Sequence, residues 1–355
     1  MKILIIKLNK IGDVLLTSPL FPNLKAHFGE DCIIDMLVNY GTQGILSHQF
    51  VRKIHTLKRL KNPLQKLYTE ISLLSAIYHE RYDLVIGLTS GERTAFLSLW
   101  SGAKIRVGFP PRSFWAKNIY THPLTAKGGQ HTIDYNLLAL QALRIPILEK
   151  RVTASRMESC DKFANLPKHF IHLHCFSSWF FKNLGDDFCA KLIDLIWKTY
   201  QIPCVLTASS DPREGEKLQA ILKLTTTKPL YFNGNLSLSE VSLLNSKALA
   251  FVGVDTGIMH LSASNDIPTF AFFGPSAPNT WGPWDNTLME SGYTATKGIQ
   301  KMGKHCVYQE SLDCIPCGRD GCNGSKKSDC LLSKLNEERA LQTLANFLSP
   351  LMPTN

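Results

Sequence analysis

The sequence predicts an α/β protein of two domains, each built on a doubly wound and mostly parallel sheet. Its 355 residues are enough for two domains that each bury a core. Short apolar runs rich in β-branched residues alternate with amphipathic helical stretches, which is the pattern of a parallel sheet. This alternation starts again after a polar break between Ile145 and Pro167, so we expect the domain boundary there.

The first predicted domain covers residues 1–160 and begins with a buried strand at residues 1–8. A turn follows, and then a helix to about Phe28 that either kinks at its prolines or begins at Ser18, with Pro19 in its first turn. Further elements are predicted as strand 33–38, helix 64–79, strand 82–88, helix 94–100 and strand 105–109. Asp13 therefore lies at the carboxyl end of a strand, where open α/β sheets bind ligands.

The second predicted domain covers residues 168–330 and repeats this architecture. Strands are predicted at 170–175, 203–207, 248–254 and 269–273, and helices at 188–200, 214–224 and 238–246. No G-x-G-x-x-G sequence follows any of the predicted strands, which argues against a dinucleotide-dependent dehydrogenase. Two domains of this kind commonly bind their ligands at the interface between them.

The stretch from residue 248 to residue 263 carries the clearest candidate site. An apolar strand ends in Asp255, Thr256 and Gly257, and a helix that carries His260 begins there. The amides of Thr256 and Gly257 at the helix N-terminus would favour an anion, and phosphate is the natural ligand. Two other interpretations stay open: Asp255 is only a helix cap, and His260 is only a packing residue.

Composition limits the function classes. An apolar share of 44% and a charged share of 19% describe an ordinary globular protein. We find no apolar run near the roughly 20 residues of a membrane span, and the apolar run at residues 3–6 is too short for a signal peptide. We therefore expect a cytoplasmic protein.

The net charge of +10 is concentrated in the N-terminal part of the chain. Residues 1–160 hold 21 Lys and Arg against 11 Asp and Glu, whereas residues 161–355 hold 18 of each. One segment carries much of the excess: Arg52, Lys53, Lys58, Arg59, Lys61 and Lys66. It is expected to meet an anionic partner or membrane face, or to be a solvated basic face. No nucleic-acid-binding module is present, and nucleic acid is not expected as a partner.

Four motifs together resemble glycosyltransferase family 9, the bacterial heptosyltransferases. They are Lys10-Ile11-Gly12-Asp13-Val14, the pair Ser177-Ser178 followed by Lys182, the D-T-G-x-x-H of Asp255 to His260, and Phe273-Gly274-Pro275-Ser276. Their order and spacing match over nearly the whole chain. Residues 314–331 (CIPCGRDGCNGSKKSDCL) are similar to the C-terminal region of the heptosyltransferase III branch of this family.

The resemblance implies a GT-B fold, in which two Rossmann-like domains face each other across a cleft. The first domain would bind the acceptor and the second the donor, and residues 331–350 would form a C-terminal crossover helix that packs back on the first domain. It also implies an inverting glycosyltransferase that moves a heptose from ADP-L-glycero-β-D-manno-heptose to the inner core of lipopolysaccharide. Such an enzyme could sit peripherally at the cytoplasmic face of the inner membrane.

Asp13 matches the general base of the family, although a helix cap is the other interpretation of this residue. The donor residues implied by the resemblance are Ser177, Ser178, Lys182, Glu214, Asp255, Thr256, Gly257 and His260. Glu214 resembles the carboxylate that holds the nucleotide ribose, and Glu216 is an alternative for it. Lys58, Arg59 and Lys61 are the candidate acceptor-binding residues. No D-x-D sequence is present, so we expect no metal or other cofactor to be required.

Five of the ten cysteines lie near the C-terminus. Cys314 and Cys317 form a C-x2-C pair, and Cys322 and Cys330 follow at spacings that are not those of a standard zinc knuckle. A structural zinc site and free or redox-labile thiols are both compatible with this pattern, and the resemblance implies no metal. Disulfides are not expected in a reducing cytoplasm.

Two alternatives to the main hypothesis stay open. The protein could be a heptosyltransferase that acts at another core position, of type I or II, or a non-catalytic protein that binds a sugar nucleotide. The donor motif would be the same in all of these cases. The intact Asp13 favours an enzyme.

Overall fold

The computed structural model describes residues 1–116 and 118–353, and the chain divides into two compact units. Unit 1 is Met1–Ser155, and unit 2 is the remainder from Arg156. The division falls inside the polar break between Ile145 and Pro167. Each unit has its own sheet and is described by itself.

Unit 1 contains a six-stranded parallel sheet with the strand order β3-β2-β1-β4-β5-β6. Its strands are β1 (Lys2–Lys7), β2 (Ile33–Asn39), β3 (Lys53–Leu57), β4 (Leu84–Gly87), β5 (Ile105–Gly108) and β6 (His122–Pro123). Its α-helices are α1 (Ile11–Leu15), α2 (Leu20–Phe28), α3 (Pro63–Glu80), α4 (Glu92–Trp100) and α5 (Thr132–Ala142). Strand β1 lies in the interior of the sheet, between β2 and β4, which explains its continuous apolar sequence.

The region after β1 contains two helices instead of one. Proline has no N–H group to continue a helix, and Pro19 occupies the cap position of α2 after the short α1 has ended. Behind the sheet, Leu4 and Ile6 of β1 pack with Ile77 of α3 and Leu97 of α4. The turn that carries Asp13 is therefore anchored to a well-packed central strand.

Unit 2 contains a seven-stranded sheet with the strand order β12-β13-β11-β10-β7-β8-β9. Its strands are β7 (Ile171–His174), β8 (Cys204–Ala208), β9 (Leu230–Asn233), β10 (Ala250–Val254), β11 (Thr269–Phe273), β12 (Gln300–Met302) and β13 (His305–Gln309). Its α-helices are α6 (Asp186–Tyr200), α7 (Pro212–Leu224), α8 (Leu238–Lys247), α9 (Gly257–Ser264), α10 (Pro278–Trp281) and α11 (Glu337–Leu348). Strand β12 pairs antiparallel with β13, and the other neighbouring strands of this sheet pair parallel.

The C-terminal helix α11 lies in unit 2. The expected packing of residues 331–350 on the first domain stays a prediction. The apolar face of α11 is buried in the core of unit 2. Ala340, Leu344 and Leu348 are fully buried there, and Phe347 packs against Phe270 of β11. The amphipathic pattern was correct, but it does not specify which surface the helix covers.

The predicted class, two Rossmann-like α/β units of the GT-B type, agrees with this architecture. Five strands were missed by the sequence analysis, namely β3, β6, β9, β12 and β13. Among the helices of the described residues, none has the length and apolar character needed to cross a bilayer.

Candidate active site

Asp13 lies in α1, directly after the carboxyl end of β1. Side chains hold the turn between them: the Leu8 amide donates to the Thr89 hydroxyl at 2.8 Å, and this hydroxyl donates to Asn9 Oδ1 at 2.6 Å. The Asn9 carbonyl in turn accepts from Asn39 Nδ2 at 3.2 Å. These bonds connect the turn to the ends of β4 and β2, so the carboxylate is carried by a fixed segment.

A buried lysine that the sequence analysis did not select lies behind this carboxylate. Lys7 Nζ is 4.0 Å from Asp13 Oδ1, and it donates to Asn136 Oδ1 at 3.1 Å and to the Leu88 carbonyl at 3.5 Å. The residue is only 3% exposed, and burial lowers the pKa of its ammonium group, an effect that Asp13 opposes. A lysine at the last position of a buried strand is the signal that could have identified it.

In unit 2 the predicted donor residues follow three neighbouring strands, β10, β7 and β8. Asp255, Thr256 and Gly257 follow β10; Ser177 and Ser178 follow β7; Glu214 lies in the first turn of the helix after β8. Because parallel strands end at the same edge of a sheet, these residues share one edge of unit 2.

Lys182 and Asp255 form a direct ion pair at this edge. Lys182 Nζ is 2.5 Å from Asp255 Oδ2, and both side chains are mostly shielded from solvent. Asp255 is not the helix cap. Thr256 caps α9, and its hydroxyl accepts from the amides of Ile258 and Met259 at 3.1 and 3.3 Å. The capping interpretation of Asp255 is therefore wrong, and its carboxylate positions a cation next to a helix N-terminus.

The two serines have different environments. The amide of Ser177 donates to Asn183 Oδ1 at 2.8 Å, and its hydroxyl accepts from the Trp179 amide at 3.2 Å, so Ser177 shapes the loop that leads to Lys182. Ser178 is exposed. Of the pair, Ser178 presents its hydroxyl to solvent, whereas Ser177 is buried.

Glu214 and Glu216 differ in burial, which distinguishes the two candidate carboxylates. Glu214 is buried, and its Oε2 accepts from the Ser209 amide at 2.7 Å, directly after β8. Glu216 is exposed and lines a groove of about 680 Å³ together with Ser209 and Asn233. Glu214 is thus bonded to the backbone at the end of β8, whereas Glu216 lies at an open groove beside the same strand end.

His260 lies one turn into α9 and is buried. Beneath the same edge is a buried polar network that the sequence analysis missed. His172 Nδ1 donates to Asn245 Oδ1 at 2.5 Å, and His172 Nε2 is 2.8 Å from the Thr207 hydroxyl. Burial lowers the pKa of His172 to about 3, so this histidine is neutral and has a structural role near neutral pH. His174 Nδ1 donates to the Thr207 carbonyl at 2.9 Å, which fixes the ends of β7 and β8.

The basic segment divides into two parts. Arg52 pairs with Asp35 and Glu80, and Lys53 Nζ is 2.9 Å from Glu80 Oε1. In contrast, the candidate acceptor-binding residues Lys58, Arg59 and Lys61 are exposed, and Lys58 Nζ lies 5.1 Å from the centroid of the Tyr40 ring.

Of the four cysteines 314, 317, 322 and 330, Cys330 is buried beside the turn that follows β11, whereas Cys314 and Cys317 are exposed. The Gly318 amide donates to the Pro275 carbonyl at 2.9 Å, and a Cβ atom on Gly274 would lie 3.3 Å from Cys330 Sγ. The pKa of Cys330 is raised to about 12, mainly by burial and further by the three other thiols. Within residues 1–116 and 118–353, no three His, Cys, Asp or Glu side chains are arranged to hold a metal ion. Structural zinc and free or redox-labile thiols both stay open as interpretations of these cysteines.

Comparisons with known proteins agree with the motifs. A family model described as glycosyltransferase family 9 (heptosyltransferase) matches residues 71–311. The chain is 28% identical to lipopolysaccharide heptosyltransferase 3 of Escherichia coli K12 over 79% of this chain and 84% of that protein.

Two solved structures show the same fold. A glycosyl transferase family 9 protein from Veillonella parvula has a TM-score of 0.74 and 19% identity, and covers 98% of this chain and 97% of its own. The Escherichia coli heptosyltransferase WaaC with ADP has a TM-score of 0.73 and 18% identity over 98% and 100% of the two chains.

Proposed function

The chain belongs to glycosyltransferase family 9, the heptosyltransferases, and we propose that it transfers a heptose from ADP-L-glycero-β-D-manno-heptose to the inner core of lipopolysaccharide. The family match and the heptosyltransferase 3 relatives make it a glycosyltransferase enzyme of lipopolysaccharide core biosynthesis. The donor, the inverting mechanism and the base are our proposal. The observation that carries it is the Lys182–Asp255 pair beside the N-terminus of α9.

The leaving group of this reaction is ADP, which departs with developing negative charge. Lys182 would supply a point charge for its diphosphate, and the amides of Thr256 and Gly257 would supply hydrogen-bond donors and the positive end of a helix dipole. The amides of Ile258 and Met259 in the first turn of α9 already donate to the Thr256 hydroxyl. The Gly257 amide at the start of this turn would therefore donate to the ligand. Two sources of positive potential are thus available without a divalent ion.

The other half of the reaction requires a base. Asp13 would accept the proton of the acceptor hydroxyl while the oxygen attacks the anomeric carbon from the face opposite the diphosphate. As the new C–O bond forms, the bond to the diphosphate breaks, and the configuration inverts. The buried ammonium of Lys7, 4.0 Å away, favours the charged form of this carboxylate. Lys7 would act through Asp13 and is therefore a positioning residue.

Recognition of the acceptor and the donor would be divided between the units. Glu214 would hold the nucleotide ribose, and Ser177, Ser178 and His260 would complete the donor site. Lys58, Arg59 and Lys61 would bind the anionic inner core or lipid A at the cytoplasmic face of the inner membrane. The exposure of their side chains supports this role.

Mass spectrometry of lipopolysaccharide from a strain that lacks this chain tests the function. The proposal predicts core oligosaccharide that is shorter by at least one heptose, and restoration of the mass by the intact gene. A loss of the innermost heptoses would favour a type I or II enzyme. An unchanged core mass would instead support the alternative of a non-catalytic sugar-nucleotide-binding protein.

A further inference from the structure

Helix α3 carries a second apolar stripe on its solvent side. Leu73, Leu74 and Ile77 of this helix pack on the core of unit 1. A different set at the spacing i, i+3, i+4 and i+7 is between 55% and 77% exposed: Leu64, Leu67, Tyr68 and Ile71. An amphipathic surface helix normally directs such a stripe into the core. This stripe is not needed for the packing of unit 1, so it is free to contact something else.

Helix α4 extends the stripe with aromatic side chains. Trp100 Nε1 donates to the Leu74 carbonyl at 2.9 Å, which joins α4 to α3. The Trp100 ring is 5.9 Å from Phe96 and 6.4 Å from Tyr78, centroid to centroid. We use the name α3–α4 face for these exposed residues: Leu64, Leu67, Tyr68, Ile71, Tyr78, Phe96, Leu99 and Trp100. Trp and Tyr at such a surface are typical of the boundary between water and lipid.

A rim of positive charge adjoins the α3–α4 face. From Lys58 to Lys66 the chain has four basic residues and no acidic one. The nearest acidic residue along α3, Glu70, is neutralised by Arg93 at 2.7 Å. A groove of about 310 Å³ between β3 and α3 is lined by both Lys58 and Tyr68, so the rim and the apolar face are continuous.

We propose that the α3–α4 face inserts into the headgroup region of an anionic lipid bilayer, with the basic rim against the lipid phosphates. Charge complementarity argues for this occupant. A second copy of the chain on the same face would bring two basic rims together, which is unfavourable. This inference rests on the proposed function in one respect. An acceptor that is attached to lipid A lies in a membrane, so the enzyme would have to bind there to reach it.

The experiment measures binding of the intact protein to vesicles of phosphatidylglycerol and phosphatidylethanolamine by flotation. The variant Leu67→Ser/Ile71→Ser removes two exposed side chains without opening the core. We expect each substitution to weaken vesicle binding about tenfold, and the two together about 100-fold. Each substitution removes one large aliphatic side chain that would be buried in the lipid. The matched control, Leu148→Ser/Leu224→Ser, alters two leucines that are exposed elsewhere and should bind like the wild type.

Trp100 gives an independent readout of insertion. Its emission should shift to shorter wavelength on binding and be protected from an aqueous quencher, and Trp100→Phe should remove that component of the signal. Wild-type affinity of the Leu67→Ser/Ile71→Ser variant, or binding that depends on charge alone, would overturn the inference. A dimer in light scattering that the same variant converts to a monomer would also overturn it, in favour of self-association.

Failure of this inference can be distinguished from failure of the proposed function. Vesicle binding requires neither donor nor turnover, so it can be measured even if the protein transfers no heptose. Conversely, the Leu67→Ser/Ile71→Ser variant should transfer heptose to a delipidated, soluble acceptor at the wild-type rate, because neither residue belongs to the proposed site.

Discussion

Replacement of Lys7 by methionine tests how the buried ammonium controls Asp13. Methionine keeps an unbranched apolar stem and removes only the charged end. Lys7 Nζ is 4.0 Å from Asp13 Oδ1, and its other partners are Asn136 Oδ1 and the Leu88 carbonyl. The variant therefore leaves the Asp13 carboxylate in place but removes the ammonium group 4.0 Å from it.

The magnitude follows from the distance. Two unit charges 4 Å apart interact by about 1 kcal/mol in bulk water and about 4 kcal/mol at an effective dielectric constant near 20. Lys7 is buried, but the Asp13 side chain is 19% exposed, so we take about 1–3 kcal/mol. Loss of this attraction disfavours the charged carboxylate, so the acid limb of kcat/KM should move to higher pH.

The assay is the pH dependence of kcat/KM for heptose transfer. Loss of the ammonium removes a stabiliser of the charged carboxylate, so Asp13 should protonate at higher pH and activity should fall earlier on acidification. Lys2→Met is the matched control, because Lys2 is at the other end of β1 and forms only a partly exposed ion pair with Glu80. An acid limb at the wild-type position in Lys7→Met would refute the proposed role of Lys7.

The variant Lys7→Met should also change how the free energy of unfolding depends on pH. The pKa of Lys7 is lowered in the folded protein, so the folded state binds its proton less tightly than the unfolded chain. The free energy of unfolding therefore rises as pH increases from the folded pKa of Lys7 toward 10.5. This rise should be absent in Lys7→Met. Urea unfolding at several alkaline pH values measures it.

Three further predictions concern ligand binding. Lys182→Met should weaken ADP binding about 10–100-fold, because a charge-assisted contact to the diphosphate is lost; calorimetry measures this, and wild-type affinity would exclude Lys182 from the donor site. ADP binding should persist in EDTA. A strong requirement for added Mg²⁺ would contradict the proposal that no metal is needed. Unfolding of the protein by the chelator would instead indicate zinc at the cysteines. Reversal of Lys58, Arg59 and Lys61 to Glu should raise the acceptor KM and weaken binding to anionic vesicles by at least about two orders of magnitude at low salt. An unchanged KM and vesicle affinity would identify a solvated basic face.

The charge reversal needs a control with the same change in net charge. Lys198, Lys228 and Lys247 are exposed lysines of unit 2, outside the proposed site. Their reversal to Glu should leave the acceptor KM near the wild-type value. A similar loss in both triple variants would show that only net charge matters.

The parts of the fold that sequence predicted are those with local signals. Strands β1 and β10 are short apolar runs that end in polar turns, and their sequences alone indicate burial and the edge at which a ligand would bind. Sequence could not decide whether Asp255 caps α9. The cap is Thr256, because Asp255 is engaged by Lys182, a residue 73 positions away in the chain.

The missed elements depend on partners that are distant in sequence. Strand β13 begins with His305 and ends with Gln309, so its apolar run is only three residues long. Gln309 is buried because its side-chain amide donates to the carbonyls of Gly274 and Ser276 at 2.7 and 2.8 Å. Lys7 was overlooked for a similar reason, since its partner Asn136 is contributed by α5.

The central claim is that Asp13 is the base of a heptosyl transfer, and the most direct measurement compares wild type and Asp13→Asn with ADP-heptose and a heptose-bearing inner-core acceptor. We expect kcat of the variant to fall by a factor of about 10²–10⁴. The affinity for ADP-heptose, measured by calorimetry, should stay within a few-fold of the wild type, because the base acts on the acceptor. A wild-type kcat in Asp13→Asn would show that Asp13 is not the base and is only a structural residue after the end of β1.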